Sequence, residues 1–200
     1  MASEEHQKKS EDRDESLIKE FLSGDQEAFT KLVQKYETPL LSFLVRYMGD
    51  LHEAEEVFQE VFLRVYKNTE RFDLSKKFKA WVYSIAVNCA RTALKRKKND
   101  PLLARAQSTE TDLSVLEGRA GEEYSPSTKH DSKEAGNLIR NAVLSLPRRQ
   151  REVFLLFQYQ GLSYEEIARV LGRPLGTVKS QMHYAVISLK EKLKDVVGSV

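Results

Sequence analysis

Apolar residues recur at three- and four-residue spacing through two long stretches of this chain, and that period predicts helices. In LIKEFLSGDQEAFTKLVQKYETPLLSFLVRYM the apolar pairs run from Leu17 to Met48. Gly24-Asp25 separates a first helix from a second, Pro39 is expected to begin or bend a third, and Gly49-Asp50 closes it. EAEEVFQEVFLRVY then sets Val57, Phe58, Val61, Phe62, Val65 and Tyr66 on one stripe. Glu53, Glu55, Glu56, Gln59, Glu60 and Arg64 lie around the rest of that amphipathic helix. A polar loop, KNTERFDLSKK, leads into FKAWVYSIAVNCARTALKRKK, a helix with a strongly basic end.

The period disappears over residues 99–133, which are rich in Ser, Thr, Asp, Glu and Ala. They read as a flexible acidic linker, with a transient helix around Leu113–Arg119. A structureless loop of that length is improbable inside one compact domain, so the chain divides in two. Helical spacing returns from Lys133: NLIRNAVLSL stops at Pro147, and RRQREVFLLFQYQ follows. No segment alternates like a strand. The expected fold is all-α: two small helical domains, 16–98 and 134–197, joined by the linker, with residues 1–15 a disordered tail.

GLSYEEIARVLGRPLGTVKSQMHYAV holds two helices and a break between them. Ser163 and Glu166 form an S-x-x-E capping box, so a helix starts at Tyr164. Ile167, Ala168 and Leu171 form its inner face, and Gly172 suits the left-handed position that ends it. Pro174 tolerates a first turn, so the next helix starts near Pro174–Leu175, with Val178, Met182, Ala185, Val186, Leu189 and Leu193 as its apolar stripe. Gly176, Thr177, Lys179, Ser180, His183 and Tyr184 then point outward. Two helices and a tight turn describe a helix-turn-helix, whose second helix enters the DNA major groove. An ordinary αα-hairpin has the same spacing, and on spacing alone the two readings divide evenly.

Charge makes this picture more specific. The net charge is only +2, but residues 76–98 carry Lys76, Lys77, Lys79, Arg91, Lys95, Arg96, Lys97 and Lys98 and no acid. Residues 99–132 carry seven acids against three bases, a net of −4. A basic block beside an acidic one predicts an anion-binding surface next to a solvated segment. Within 69–98, Phe72, Phe78, Trp81 and Tyr83 lie among the cations; bases stack on aromatics and phosphates pair with cations, so the block suits single-stranded nucleic acid. Trp81, Ile85, Ala86 and Cys89 follow helical spacing, so Trp81 is expected in the core.

Other chemistries find little support. No apolar run approaches the roughly 20 residues that span a bilayer, and the polar N-terminus has no secretory h-region, so a cytoplasmic location is expected. Cys89 alone allows no internal disulfide, and His6, His52, His130 and His183 show no metal-ligand spacing. There is no Walker glycine loop and no GxSxG. Neither catalysis nor a cofactor or metal is expected.

LSLPRRQREVFLLFQYQGLSYEEIARVLGRPLGTVKSQMHYAVISLKEKL resembles region 4 of bacterial extracytoplasmic-function (ECF) sigma factors of the sigma-70 family. AFTKLVQKYETPLLSFLVRYMGDLHEAEEVFQEVFLRVYKN resembles regions 2.1 and 2.2, and FKAWVYSIAVNCARTALKRKK regions 2.3 and 2.4. Two blocks in the right order, over roughly 16–98 and 136–194, are more specific than either alone. The resemblance implies a factor that binds the β′ and β subunits of core RNA polymerase, reads the −35 element as duplex and the −10 element as unpaired strand, and helps open the DNA. It implies polymerase contacts at Glu53, Glu56, Gln59, Glu60 and Arg64. It implies −10 contacts at Phe72, Lys76, Lys77, Lys79, Asn88, Arg91 and Lys95, with Asn88 lining the pocket for a flipped base. It implies −35 contacts at Gly176, Thr177, Lys179, Ser180, His183 and Tyr184, where many relatives carry Arg at the positions of Gln181 and Tyr184. The linker is expected to thread toward the active-site cleft. An anti-sigma factor is a candidate partner. Two other classes compete: a dimeric helix-turn-helix regulator that reads a palindrome, and an adaptor that only binds polymerase. A second basic and aromatic site at 72–98 argues against the regulator, and a DNA-reading helix against the adaptor.

Overall fold

A computed structural model describes residues 14–99 and 129–194, with side chains from residue 136 onward in the second stretch. Helix α1 covers residues 14–22. It is followed by α2 (Gln26–Met48), α3 (Leu51–Asn68), α4 (Phe78–Asn99), α5 (Lys129–Leu144), α6 (Arg148–Gln158), α7 (Tyr164–Leu171) and α8 (Leu175–Lys192). No strand occurs among the described residues. Residues 1–13 and 100–128, and with them most of the expected tail and linker and the helix at Leu113–Arg119, lie outside the described residues.

Local signals set the helix ends. The Asp25 carboxylate accepts from the amide of Glu27 at 2.9 Å to start α2, and Asp50 accepts from Glu53 at 2.9 Å to start α3. Between them Gly49 closes α2 at φ 86°, its amide donating to Val45. An added Cβ on Gly49 would sit 3.3 Å from Cδ2 of Leu144 in α5, so both the backbone angle and the neighbouring helix require glycine there. A 3₁₀ turn, Thr69–Arg71, carries α3 into what the sequence predicts as loop.

Three expectations change. Pro39 neither starts nor breaks a helix: α2 runs through it. Pro39 is exposed while Tyr36, Leu40 and Phe43 are buried, so water can serve the carbonyl that lost its donor, and apolar burial offsets a penalty of about 3 kcal/mol. Asp14 and Glu15 belong to α1 and not to a disordered tail. Asp14 is buried and accepts from Tyr36 Oη at 2.7 Å and Lys35 Nζ at 2.5 Å, and Glu15 accepts from the Phe78 amide at 3.0 Å, holding the first turn of α4. The second helical stretch begins at Lys129, inside the expected linker.

The first domain packs α2, α3 and α4 against one another. Leu32, Leu40, Leu44, Val61, Phe78, Val82 and Ala86 are among its buried side chains. In the second, α8 packs on α6 and α7, burying Val153, Leu156, Ile167, Val178, Met182 and Ala185. The two domains also touch: α4 meets α7, and α2 meets α5 and α6, so their apolar residues form one continuous cluster.

Candidate nucleic-acid and polymerase interfaces

The helix-turn-helix is assembled from its caps inward. The Ser163 hydroxyl accepts from the Glu166 amide at 3.3 Å, and the Glu166 carboxylate accepts from the Ser163 amide at 2.9 Å. Gly172 ends α7 at φ 62°, and α8 starts three residues later at Leu175, after Pro174. Val178, Met182, Ala185 and Leu189 are buried, which fixes the rotation of α8. Gly176, Lys179, Ser180, His183 and Tyr184 are exposed and Thr177 is half-buried, so all six expected −35 residues share the outward side of the first turns. That side offers a cation, a hydroxyl and an imidazole, groups that suit base edges and phosphates in a major groove.

The basic block of the first domain is less uniform. Lys76, Lys77, Asn88 and Lys95 are exposed and Lys79 is half-buried. Phe72 is buried instead, its ring 4.7 Å from Trp81 and 6.0 Å from Phe78. It packs between the loop and α4, against Phe78 and Trp81. Arg91 faces the second domain. Its Nε and Nη2 donate to the two oxygens of Glu152 at 2.8 and 2.7 Å, and Asn88 accepts from its Nη1 at 3.4 Å.

Glu152 is fully buried and accepts from Arg91, Tyr47 and Arg173. Burial alone pushes its carboxyl up, but the hydrogen bonds from Arg91 and Tyr47 and the charges of Arg91 and Arg173 outweigh burial and hold it below its ordinary value. Its bond to Arg91 in turn raises that guanidinium, and Tyr47, buried beside Glu152, is pushed well above the ordinary phenol range. Lys77 pairs with Glu166 at 3.0 Å. Glu166, too, is held below its ordinary value: burial raises it, and bonds from Ser163 and Lys77 more than offset that. Sequence periodicity carried no sign of this second-domain acid pair, because the contacts span tens of residues.

On α3, Glu56, Gln59, Glu60 and Arg64 are exposed, and Glu60 accepts from Arg64 Nε at 2.7 Å. Glu53 is half-buried and paired with Lys97 at the basic end of α4. Two apolar side chains sit among these polar groups: Leu63 is 55% exposed and Tyr66 50%. Tyr66 leaves the inner stripe assigned from periodicity, because its ring packs on Phe21 and Phe29 at the edge of the core, 5.4 and 5.2 Å away. Leu63 was legible as a lone large apolar residue on the charged face. An acidic surface with exposed apolar side chains suits a basic, partly apolar partner helix.

Among the described residues no group of three His, Cys, Asp or Glu could hold a metal, and no helix is long and apolar enough to cross a membrane. Cys89 is buried, and burial pushes its thiol up.

A helix-turn-helix with an exposed polar side in one helical domain, and a surface of exposed cations beside an acidic helix face in the other, are features that suit a two-domain nucleic-acid-binding protein. Residues 32–99 match the family model of Sigma-70 region 2, and residues 136–189 that of Sigma-70, region 4. The chain is 34% identical over 179 residues to the ECF RNA polymerase sigma factor SigW of Bacillus subtilis, covering 90% of this chain and 96% of that protein. It is 31% identical over 184 residues to the ECF RNA polymerase sigma-E factor of Escherichia coli K12, covering 92% and 96%. The fold is similar to that of CnrH, solved in complex with the cytosolic domain of CnrY, with a TM-score of 0.65 at 23% identity over 92% of this chain and 98% of that one. It is also similar to the sigma factor RpoE of Bartonella quintana in complex with the anti-sigma factor NepR, with a TM-score of 0.63 at 21% identity over 82% and 97%. The chain belongs to the ECF RNA polymerase sigma factors of the sigma-70 family. It binds core RNA polymerase, directs it to promoters through their −10 and −35 elements, and promotes DNA melting for initiation.

Proposed function

We propose how that work is divided along this chain. Residues 16–98 form the unit that docks on polymerase and takes the −10 strand, 99–133 the acidic linker, and 134–197 the unit that reads the −35 duplex. The carrying observation is the outward group on α8, Lys179, Ser180, His183 and Tyr184, exposed on a helix that starts directly after the Gly172 turn. Lys179 supplies the cation for a guanine edge or a phosphate, and Ser180 and His183 supply hydrogen bonds. With Gln181 where many relatives carry Arg, this helix makes fewer bidentate guanine contacts and depends more on phosphates and shape.

Lys76, Lys77, Lys79, Arg91 and Lys95 hold the backbone of the unpaired −10 strand, and Asn88 receives a flipped base, which offsets an unstacking cost of a few kcal/mol. Phe72 supports that surface from below. Glu56, Gln59, Glu60 and Arg64, with Glu53 behind them and Leu63 and Tyr66 as apolar anchors, face the polymerase. The chain works in the cytoplasm, as a transcription initiation factor with no reaction of its own. The two similar structures are complexes, one with the cytosolic domain of CnrY and one with the anti-sigma factor NepR, and this chain takes an anti-sigma partner in the same way.

The test is abortive transcription by sigma-free core polymerase mixed with the purified chain on a random promoter library, with sequencing of the initiated templates. Two enriched blocks at fixed spacing are expected, the upstream one changing when Lys179 or His183 is substituted. Binding to a palindrome with no gain in initiation would leave only a dimeric regulator, and core binding without initiation only an adaptor.

A further inference from the structure

Helix α4 starts at Phe78 without a cap from its own neighbourhood. Lys77, the residue before it, has no side-chain oxygen to accept an amide, and the first turn holds no acid. Lys76, Lys77 and Lys79 crowd this end instead, where the positive end of the helix dipole opposes them. The nearest acid in the loop, Asp73, serves its own turn by accepting from the Ser75 amide at 3.0 Å and the Ser75 hydroxyl at 2.6 Å. The acceptor comes from the far end of the domain: Glu15 Oε1 in α1, 63 residues earlier, takes the Phe78 amide at 3.0 Å.

We infer that Glu15 is a positioning residue of the −10 surface: it caps α4 from outside and thereby sets the turn 73–79 and the lysines which that turn presents to the unpaired strand. The inference rests on the −10 assignment made above. The aim of Glu15 is fixed from both sides. Asp14 is buried and accepts from Tyr36 Oη at 2.7 Å and Lys35 Nζ at 2.5 Å, and Leu17 and Ile18 are buried in the core. Helix α1 cannot turn Glu15 away from α4 without undoing those contacts. Tyr36 belongs to the same assembly, because its hydroxyl holds Asp14 while its ring meets Phe78 edge-on at 5.3 Å. Phe78 in turn meets Trp81 at 5.8 Å and Phe72 at 6.0 Å. Contacts therefore run without a break from α1, through the first turn of α4, to the loop that carries Lys76 and Lys77. A carboxylate at this end also offsets part of the lysine charge, so the helix can start with cations aimed at phosphates.

Trp81, the single tryptophan of the chain, lies in the first turn of α4 and reports on it directly. The experiment compares Glu15→Gln, which keeps an acceptor and loses the charge, with Glu15→Asp, which keeps the charge and is shorter by one methylene, and with Glu15→Ala. A chain carrying both Lys76→Ala and Asn88→Ala is the −10 control. Three quantities are read on full-length protein: Trp81 emission in the free chain, affinity for core polymerase, and affinity of the holoenzyme for a dye-labelled single strand carrying the downstream block enriched from the random promoter library. Glu15→Ala and Glu15→Asp are expected to shift Trp81 emission to longer wavelength and to weaken strand binding about tenfold, equivalent to about 1.4 kcal/mol, with core affinity unchanged. Glu15→Gln is expected to keep unshifted emission and most of the strand affinity. Glu15→Asp decides the matter even where Glu15→Ala folds poorly. Unshifted emission in both Glu15→Ala and Glu15→Asp, or full strand affinity in both beside a weakened −10 control, overturns the inference. Equal losses of strand and core affinity overturn it too, because Glu15 would then only support the fold. A failed −10 assignment shows separately, as a −10 control that binds the strand normally, and the inference falls with it.

Discussion

Arg91 in α4 and Glu152 in α6 meet as a two-point pair, Nε to Oε1 at 2.8 Å and Nη2 to Oε2 at 2.7 Å, joining the two domains. The carboxylate is fully buried, so its stability depends on its partners and not on water. Tyr47 contributes from α2 at 2.7 Å and Arg173 from the turn before α8. Four elements therefore converge on one acid.

Removing that acid leaves two partly buried guanidinium groups without a carboxylate, held only by neutral acceptors such as Asn88 and Gln181. Glu152→Ala should destabilise the chain by about 3–5 kcal/mol, the range for breaking a buried pair from one side. Glu152→Gln keeps an acceptor for Arg91 and should cost about 1–3 kcal/mol. Urea unfolding followed by helical signal measures both. Equal losses in the two variants would assign the stability to the charge alone, and a Glu152→Gln chain as stable as the unsubstituted one would assign it to side-chain volume.

The same pair sets a pH dependence. Glu152 is held below its ordinary value while the domains are docked, by Arg91 from α4, Tyr47 from α2 and Arg173 from the turn. Arg148 and Arg151 flank the site on α6 itself, burial lowering the Arg151 guanidinium, and Tyr47 stays neutral because burial beside Glu152 pushes its phenol up. A depressed carboxyl contributes stability above its undocked value and loses it as pH falls through the docked value. Dyes on Lys67→Cys in α3 and Lys190→Cys in α8, both exposed, report the docking by energy transfer. Interdomain energy transfer should therefore be flat from pH 8 down to about 5 and fall only below the ordinary Glu range near 4.3. A decline between pH 8 and 6 would point to a histidine instead.

Much of this fold was legible in the sequence, and what was not shares a physical cause. The capping box at Ser163 and Glu166, the Gly172 stop and the start at Leu175 depend on contacts within a few residues, and the helix-turn-helix follows from them. Pro39 misled because its local penalty is visible in sequence, whereas the burial of Tyr36, Leu40 and Phe43 that overrides it depends on other helices. Asp14 looked like part of a charged tail because its partners, Lys35 and Tyr36, lie a helix away. Arg91 and Lys77 could be picked out as cations, but their pairing with Glu152 and Glu166 depends on how the domains dock, which no local period encodes.

Leu63 and Tyr66 test the polymerase face. Both are at least half exposed, so Leu63→Ala should change folding stability by no more than about 0.5 kcal/mol. Its affinity for core polymerase should fall by about 1–2 kcal/mol, as for a central apolar anchor. Glu60→Lys should weaken binding too, and mainly by slowing association at low salt. Competition against a labelled sigma factor for core enzyme reads both. Normal affinity in Leu63→Ala together with Glu60→Lys would move the docking face off α3.

Gly49 and Gly172 separate backbone strain from packing. Both hold left-handed backbone, at φ 86° and 62°, and an added methyl at Gly172 meets nothing within 4 Å. Gly172→Ala should thus cost only the conformational term, about 1–2 kcal/mol. Gly49→Ala adds a 3.3 Å approach to Leu144 in the other domain, so it should cost more and also lower interdomain energy transfer. Equal losses in stability, with transfer unchanged, would mean that α5 simply moves aside.

Lys179 offers the sharpest reading of the second domain. It is exposed one residue after buried Val178, so Lys179→Ala leaves the core untouched while Val178→Ala opens a cavity. A lysine on a guanine edge is worth about 1–3 kcal/mol of discrimination at one base pair. A lysine on a phosphate instead weakens all sequences alike and lowers the salt slope of binding by about 1. Gln181 is neutral and accepts from Arg173, so Lys179 is the cation in the first turns of α8, and it is expected to act on a guanine edge. Holoenzyme transcription from −35 variants, repeated across salt concentrations, separates the cases. Relaxed preference at a single position with an unchanged slope is the expected outcome. A uniform loss with a shallower slope would reassign Lys179 to the backbone and leave base reading to Ser180 and His183.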